Sequence, residues 1–74
     1  MIKIPISDCS YETRRSLGLV GYNQTLVDKF TSWARESLQG TVSIGLINGQ
    51  ARYLIFDCEE DRVSFVLGWC NQNV

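Results

Sequence analysis

The sequence predicts a small α+β domain, and three stretches carry that prediction. Residues 23–40, NQTLVDKFTSWARESLQG, repeat apolar side chains at spacings of three and four, whereas residues 41–56, TVSIGLINGQARYLIF, set two β-rich runs around Asn48-Gly49. Residues 56–70, FDCEEDRVSFVLGWC, place the carboxylates of Asp57, Glu59, Glu60 and Asp61 directly before a block of large apolar side chains. All of this belongs to a single domain spanning residues 1–74, because a chain of this size buries only about 60% of the surface that its unfolded form exposes and cannot support two cores.

The first element is MIKIPI, where Ile2, Ile4 and Ile6 alternate with Lys3 and Pro5. A period of two with β-branched residues predicts a strand, and Pro5, which has no N–H to donate, belongs at an edge or a bulge of it. Between residues 7 and 21 the apolar positions are sparse. Ser7, Asp8 or Ser10 is suited to cap a short helical turn that ends near Gly18.

The main helix is predicted over 23–40, with Leu26, Val27, Phe30, Trp33, Ala34 and Leu38 on its inner face. Asn23 or Thr25 is a fitting start, Thr25 with Asp28 resembling a capping box, and Gly40 suits a left-handed end. Asn48-Gly49 then predicts a two-residue type I′ turn, whose central residues both need positive φ. In that register Leu46 faces Ala51, Ile44 faces Tyr53 and Val42 faces Ile55 on the core side. Leu54 and Phe56 consequently point away from it.

Asp57 stands three residues before Glu60, so the acid run reads most simply as a helix start, with Asp57 as the cap and Glu59, Glu60 and Asp61 complementing the dipole. Beyond it, Val63, Val66, Leu67 and Cys70 form one helical stripe and Phe65 and Trp69 lie beside it. The same residues also alternate at period two, so the segment after Asp57 is expected as a C-terminal helix, with a third strand next to the hairpin as the alternative.

The apolar share of 45% and charged share of 20% describe a chain that folds, and the formal net charge of -1 lacks the basic field that non-specific phosphate binding requires. Lys3, Arg14, Arg15, Tyr11 and Tyr22 offer at most a modest patch, so nucleic acid is a disfavoured partner. Cys9, Cys58 and Cys70 are an odd number without CxxC spacing, and no apolar run is long enough for a signal peptide or membrane span; cytoplasmic residence with free thiols is the expectation. With no histidine, no glycine-rich phosphate loop and no GxSxG motif, no enzyme activity, no metal and no cofactor are expected.

The last third of the chain resembles small bacteriophage accessory proteins that end in a phenylalanine, an acid-rich turn and an F-x-L-x-W segment, the matching residues being Phe56, Glu60, Asp61, Phe65, Leu67 and Trp69. Val66 and Gly68 replace the basic or polar residues of those segments. The resemblance implies a phage-encoded accessory protein of the host cytoplasm.

The residues themselves lead to the expectation of a small protein-interaction module, which the resemblance makes a phage or mobile-element accessory that binds and modulates a host protein, inhibition being the expected effect, with a homo-oligomeric structural subunit as the alternative. More large apolar side chains are present than one small core can hide. The expected contact surface comprises Leu54, Phe56, Phe65 and Trp69, with Glu59, Glu60 and Asp61 as an acidic complement to a basic partner.

Overall fold

The computed structural model describes residues 1–21 and 24–70. Strand β1 (Ile2–Pro5) leads through a single 3₁₀ turn, Ile6–Asp8, to helix α1 (Tyr11–Leu17). Helix α2 (Asp28–Ser37), strands β2 (Val42–Ile47) and β3 (Gln50–Phe56) and helix α3 (Glu59–Ser64) follow, and α3 continues without a break as a π-helical turn, Phe65–Trp69. The strands form one antiparallel sheet in the order β1-β3-β2, so the N-terminal strand and the first hairpin strand are its two edges. This is the α+β domain expected, with the last segment helical. Asn23, one of the two proposed helix starts, and Tyr22 lie outside the described residues.

Helix α1 is short but closed at both ends. The Ser10 hydroxyl accepts the Thr13 N–H at 3.1 Å, and the left-handed Gly18 (φ 91°) ends the helix. There the N–H of Gly18 reaches the Arg15 carbonyl and that of Leu19 the Arg14 carbonyl, the paired bonds of a Schellman end. Leu17 is the residue that α1 buries completely.

Helix α2 is shorter than the periodicity predicts, and both ends have an external cause. At its start, the N–H of Val27 donates to the Leu17 carbonyl at 3.0 Å, which holds Val27 extended and lets the helix begin only at Asp28. Leu26 and Val27 therefore pack on the core from outside the helix. At the other end Leu38 is extended as well, because the next two amides are engaged by the carboxylate of Asp61. Gly40 does not take the left-handed conformation expected of it.

The hairpin turns at Asn48-Gly49, with φ of 52° and 78°, as a type I′ turn requires. Leu46 faces Ala51, as expected, but the register shifts immediately afterwards. Gly45 pairs with Tyr53, Ile44 with Leu54 and Val42 with Phe56, which leaves Arg52 as the extra residue of a bulge. One inserted residue reverses the parity of everything beyond it. Leu54 and Phe56 thus turn into the core, whereas Tyr53 and Ile55 move to the outer face.

All helices described cover one face of the sheet. Phe30 is at the centre: its ring stacks on Trp33 and meets Phe65 and Trp69 edge-on, with centroids 5.8, 5.8 and 4.9 Å away. Phe56 and Leu54 close the cluster from the sheet, and Ile2, Ile4 and Val42 extend it toward both edges. Trp69 also satisfies its indole N–H on the Ser16 hydroxyl at 3.0 Å, tying the π-helical turn to α1. On the outer face, Gly45 leaves room beside Tyr53 and Ile55, and the Lys3 ammonium lies 5.8 Å from the centre of the Tyr53 ring.

Candidate functional site

The seven residues expected to meet a partner divide into two groups, and neither forms the expected surface. Leu54, Phe56, Phe65 and Trp69 are all buried, so the assignment of these four to an exposed contact surface is corrected. The bulge explains the first two. For Phe65 and Trp69 the cause is the phase of the last helix, whose inward positions are Asp61, Phe65 and Trp69, four residues apart. Of the stripe Val63, Val66, Leu67 and Cys70, the first three are exposed, Leu67 by 63%, while Cys70 is half-buried against the core.

The acid run does more than start a helix. The residue preceding α3 is Cys58, and no side chain caps the helix there, so Asp57 is not its N-cap. Its carboxylate instead accepts the N–H of Thr41 at 2.8 Å. Asp61, buried to 1% exposure, accepts the N–H groups of Gln39 and Gly40, each at 2.8 Å, while Glu60 accepts from the Gln39 side-chain amide at 2.6 Å. Three consecutive backbone amides of the α2–β2 connection are thereby held by two carboxylates from the β3–α3 region. Asp61 is not a surface charge available to a basic partner.

Glu59 is the one member of the run that keeps to its own helix. It pairs with Arg62, and the Arg62 guanidinium holds its carboxyl below the usual carboxylate range. Both groups are solvent-exposed, so this pair has little weight in the stability of the fold.

The thiols of Cys9, Cys58 and Cys70 are free and partly buried. Burial pushes the Cys9 thiol up, with the nearby Cys70 adding to the effect and the Arg14 guanidinium opposing it. Burial likewise raises Cys70, against a hydrogen bond from Thr13. A raised thiol holds less thiolate and is a weaker nucleophile. Among the described residues, no group of three or more cysteine, aspartate or glutamate side chains is placed to hold a metal ion.

Besides the exposed Val63, Val66 and Leu67 and the β1 edge, the outer edge of β2 and the cleft at its start are accessible. An edge strand presents half of its backbone N–H and C=O groups to solvent, and β2 does so over Val42–Ile47, with Leu46 and Ile47 exposed toward its end. Where α2 ends and β2 begins lies a groove of about 290 Å³, lined by Thr31, Ala34, Arg35, Leu38, the connection Gln39, Gly40 and Thr41, and Val42. Ala34, Leu38 and Val42 give it apolar side chains beside the polar ones of Thr31, Gln39 and Thr41, and Arg35 brings a positive charge to it. The groove depends on where α2 stops, which periodicity alone does not show.

Compared with known proteins, the chain matches no family model, no curated protein sequence and no solved structure. Among the described residues, no helix is long and apolar enough to cross a membrane.

Proposed function

We propose that the protein is a small protein-interaction module whose contact site is the outer edge of β2 together with the groove against α2. The observation that carries the reading is the combination of an unpaired strand edge with a groove of mixed lining at the start of that strand. An extended segment of a partner adds to such an edge through main-chain hydrogen bonds and is selected by the side chains that enter the groove. Arg35 favours a partner segment with an acidic residue. In keeping with the resemblance to bacteriophage accessory proteins, the partner is a cytoplasmic host protein and the consequence of binding is inhibition. No chemical step is assigned to the protein. The same edge supports one alternative, a homo-oligomer in which two copies of β2 pair antiparallel across a two-fold axis.

Light scattering coupled to size exclusion separates the two, since the self-paired form elutes as a dimer and the module as a monomer. Amide hydrogen exchange in the presence of the captured partner then tests the site. Slower exchange over Val42–Ile47, lost in the Leu46→Lys/Ile47→Lys variant, is the expected result. Protection confined to Val63–Leu67 would move the contact to the exposed stripe of the last helix and overturn this site.

A further inference from the structure

A second cavity, remote from the β2 edge groove, lies where the 3₁₀ turn, α1 and the start of β3 meet. Its volume is about 350 Å³, and its lining includes Ser7, Arg14, Gly21, Gln24, Gln50 and Arg52. Two arginines thus line one half-open recess. No carboxylate stands among the described residues that line it, although the chain as a whole is slightly acidic.

Each arginine is there for a structural reason. Arg52 is the extra residue of the β3 bulge, and bulges re-aim a side chain that regular alternation would direct elsewhere. Its guanidinium is steadied by Gln50, whose side-chain oxygen accepts from Arg52 Nη2 at 2.8 Å. Arg14 belongs to the last turn of α1, and its Nε is buried without a hydrogen-bond partner. A charged donor removed from water with no acceptor is costly, and native structures rarely keep one without a use.

Gln24 completes the wall. β1 ends opposite Tyr53, so the N–H of Ala51 has no strand to bond to, and the Gln24 side-chain oxygen accepts it at 2.5 Å. That bond fixes the amide and leaves its NH₂ end as a further donor. The cavity therefore offers two positive charges, one of them steadied by Gln50, and a neutral donor on Gln24.

We propose that this cavity binds a phosphate group, either free or carried on a small organic body. Guanidinium groups recognise phosphate oxygens through paired N–H donors, and two of them balance the double charge of a phosphate monoester where a carboxylate would balance only one. The volume falls at the lower end of the range of about 300–1,000 Å³ typical of small-molecule sites, which leaves room for more than the phosphate itself.

The test is a titration of the full chain, followed by NMR of backbone amides, with inorganic phosphate, a nucleoside monophosphate and acetate at constant ionic strength. Phosphate is expected to shift the amides of Ser7, Gly21, Gln24 and Ala51 together, with acetate binding more weakly. Tighter binding of the nucleotide than of inorganic phosphate identifies a carried phosphate group; equal binding identifies the free ion. Arg52→Gln, at an exposed position, should weaken phosphate binding about tenfold to a hundredfold through loss of a charge-assisted contact, and Arg14→Gln should do the same where it folds. Phosphate binding undiminished in Arg52→Gln, shifts scattered over the surface, or acetate binding as tightly as phosphate would overturn the proposal.

Discussion

The carboxylate of Asp61 accepts the backbone N–H of Gly40 at 2.8 Å while remaining almost wholly out of contact with solvent. It simultaneously accepts the N–H of Gln39, so one side chain of the last helix determines where α2 ends and how the chain enters β2. Removing that carboxylate orphans two amides at once. Asp61→Ala is expected to cost about 2–5 kcal/mol, a large share of what a domain this small possesses, and Asp61→Asn, which keeps one acceptor, about half as much. Urea unfolding followed by circular dichroism measures both; a loss below about 0.5 kcal/mol for the alanine variant would remove the carboxylate from this role.

Gly40 serves the same joint by being small. A Cβ there would stand 2.7 Å from the Cβ of Asp57, and closer still to its carboxylate, although the backbone of Gly40 is not left-handed. Gly40→Ala should therefore destabilise by about 1–3 kcal/mol through crowding rather than backbone strain. Pairing it with Asp57→Ala gives the check: the double variant should lose less than the sum of the single ones. Strict additivity would mean that the two residues do not oppose each other.

Buried and exposed members of the apolar block should behave oppositely. Trp69→Ala empties a site in contact with Phe30 and Trp33 and is expected to cost about 3–5 kcal/mol, enough to leave the chain partly unfolded. Leu67→Ser, on the outward stripe, should change stability by no more than about 0.5 kcal/mol. Thermal unfolding of the two variants side by side is sufficient, and a reversed order would mean that the last helix is rotated from the phase described.

Alkaline pH is the condition under which the thiols matter. Cys9 and Cys70 are both raised above their ordinary value of 9.0 by burial, so the folded state retains protons that the unfolded state gives up. Their contribution is complete below pH 9 and disappears as the pH rises through the folded values. The midpoint of urea unfolding should accordingly drop above pH 9, less steeply in a Cys9→Ala/Cys70→Ala variant. An identical slope in both proteins would assign the alkaline loss to other groups.

The elements of the fold were legible where a single local rule decides them. Asn48-Gly49 needs only its own φ values, and Ser10 and Gly18 bracket α1 by capping alone. Errors arose where two rules competed. Tyr53, Leu54, Ile55 and Phe56 are consecutively apolar, so alternation cannot say which pair is inside, and the bulge at Arg52 decides it. The acid run satisfied the rule for a helix start so well that a long-range task for Asp57 and Asp61, with amides of Gln39, Gly40 and Thr41, left no local trace. Val63, Val66 and Leu67 looked like a core stripe because they share one side of a helix; it was the aromatic pair beside them, larger and better matched to Phe30, that the core took in.

The placement of β3 between β1 and β2 has a consequence for how the chain matures during synthesis. Ile2 pairs with Phe56, so during synthesis β1 has no partner until β3 has followed it. Even then Phe30 and Phe56 remain uncovered on the helix side until Phe65 and Trp69 arrive. A nascent chain that stops short of these aromatics carries an open sheet and an unsealed hydrophobic centre, the kind of surface that holdase chaperones bind and proteases cleave. Closure of this core therefore waits for the Phe65–Trp69 turn, and a chain cut short before that turn is a target for clearance rather than a merely weakened fold.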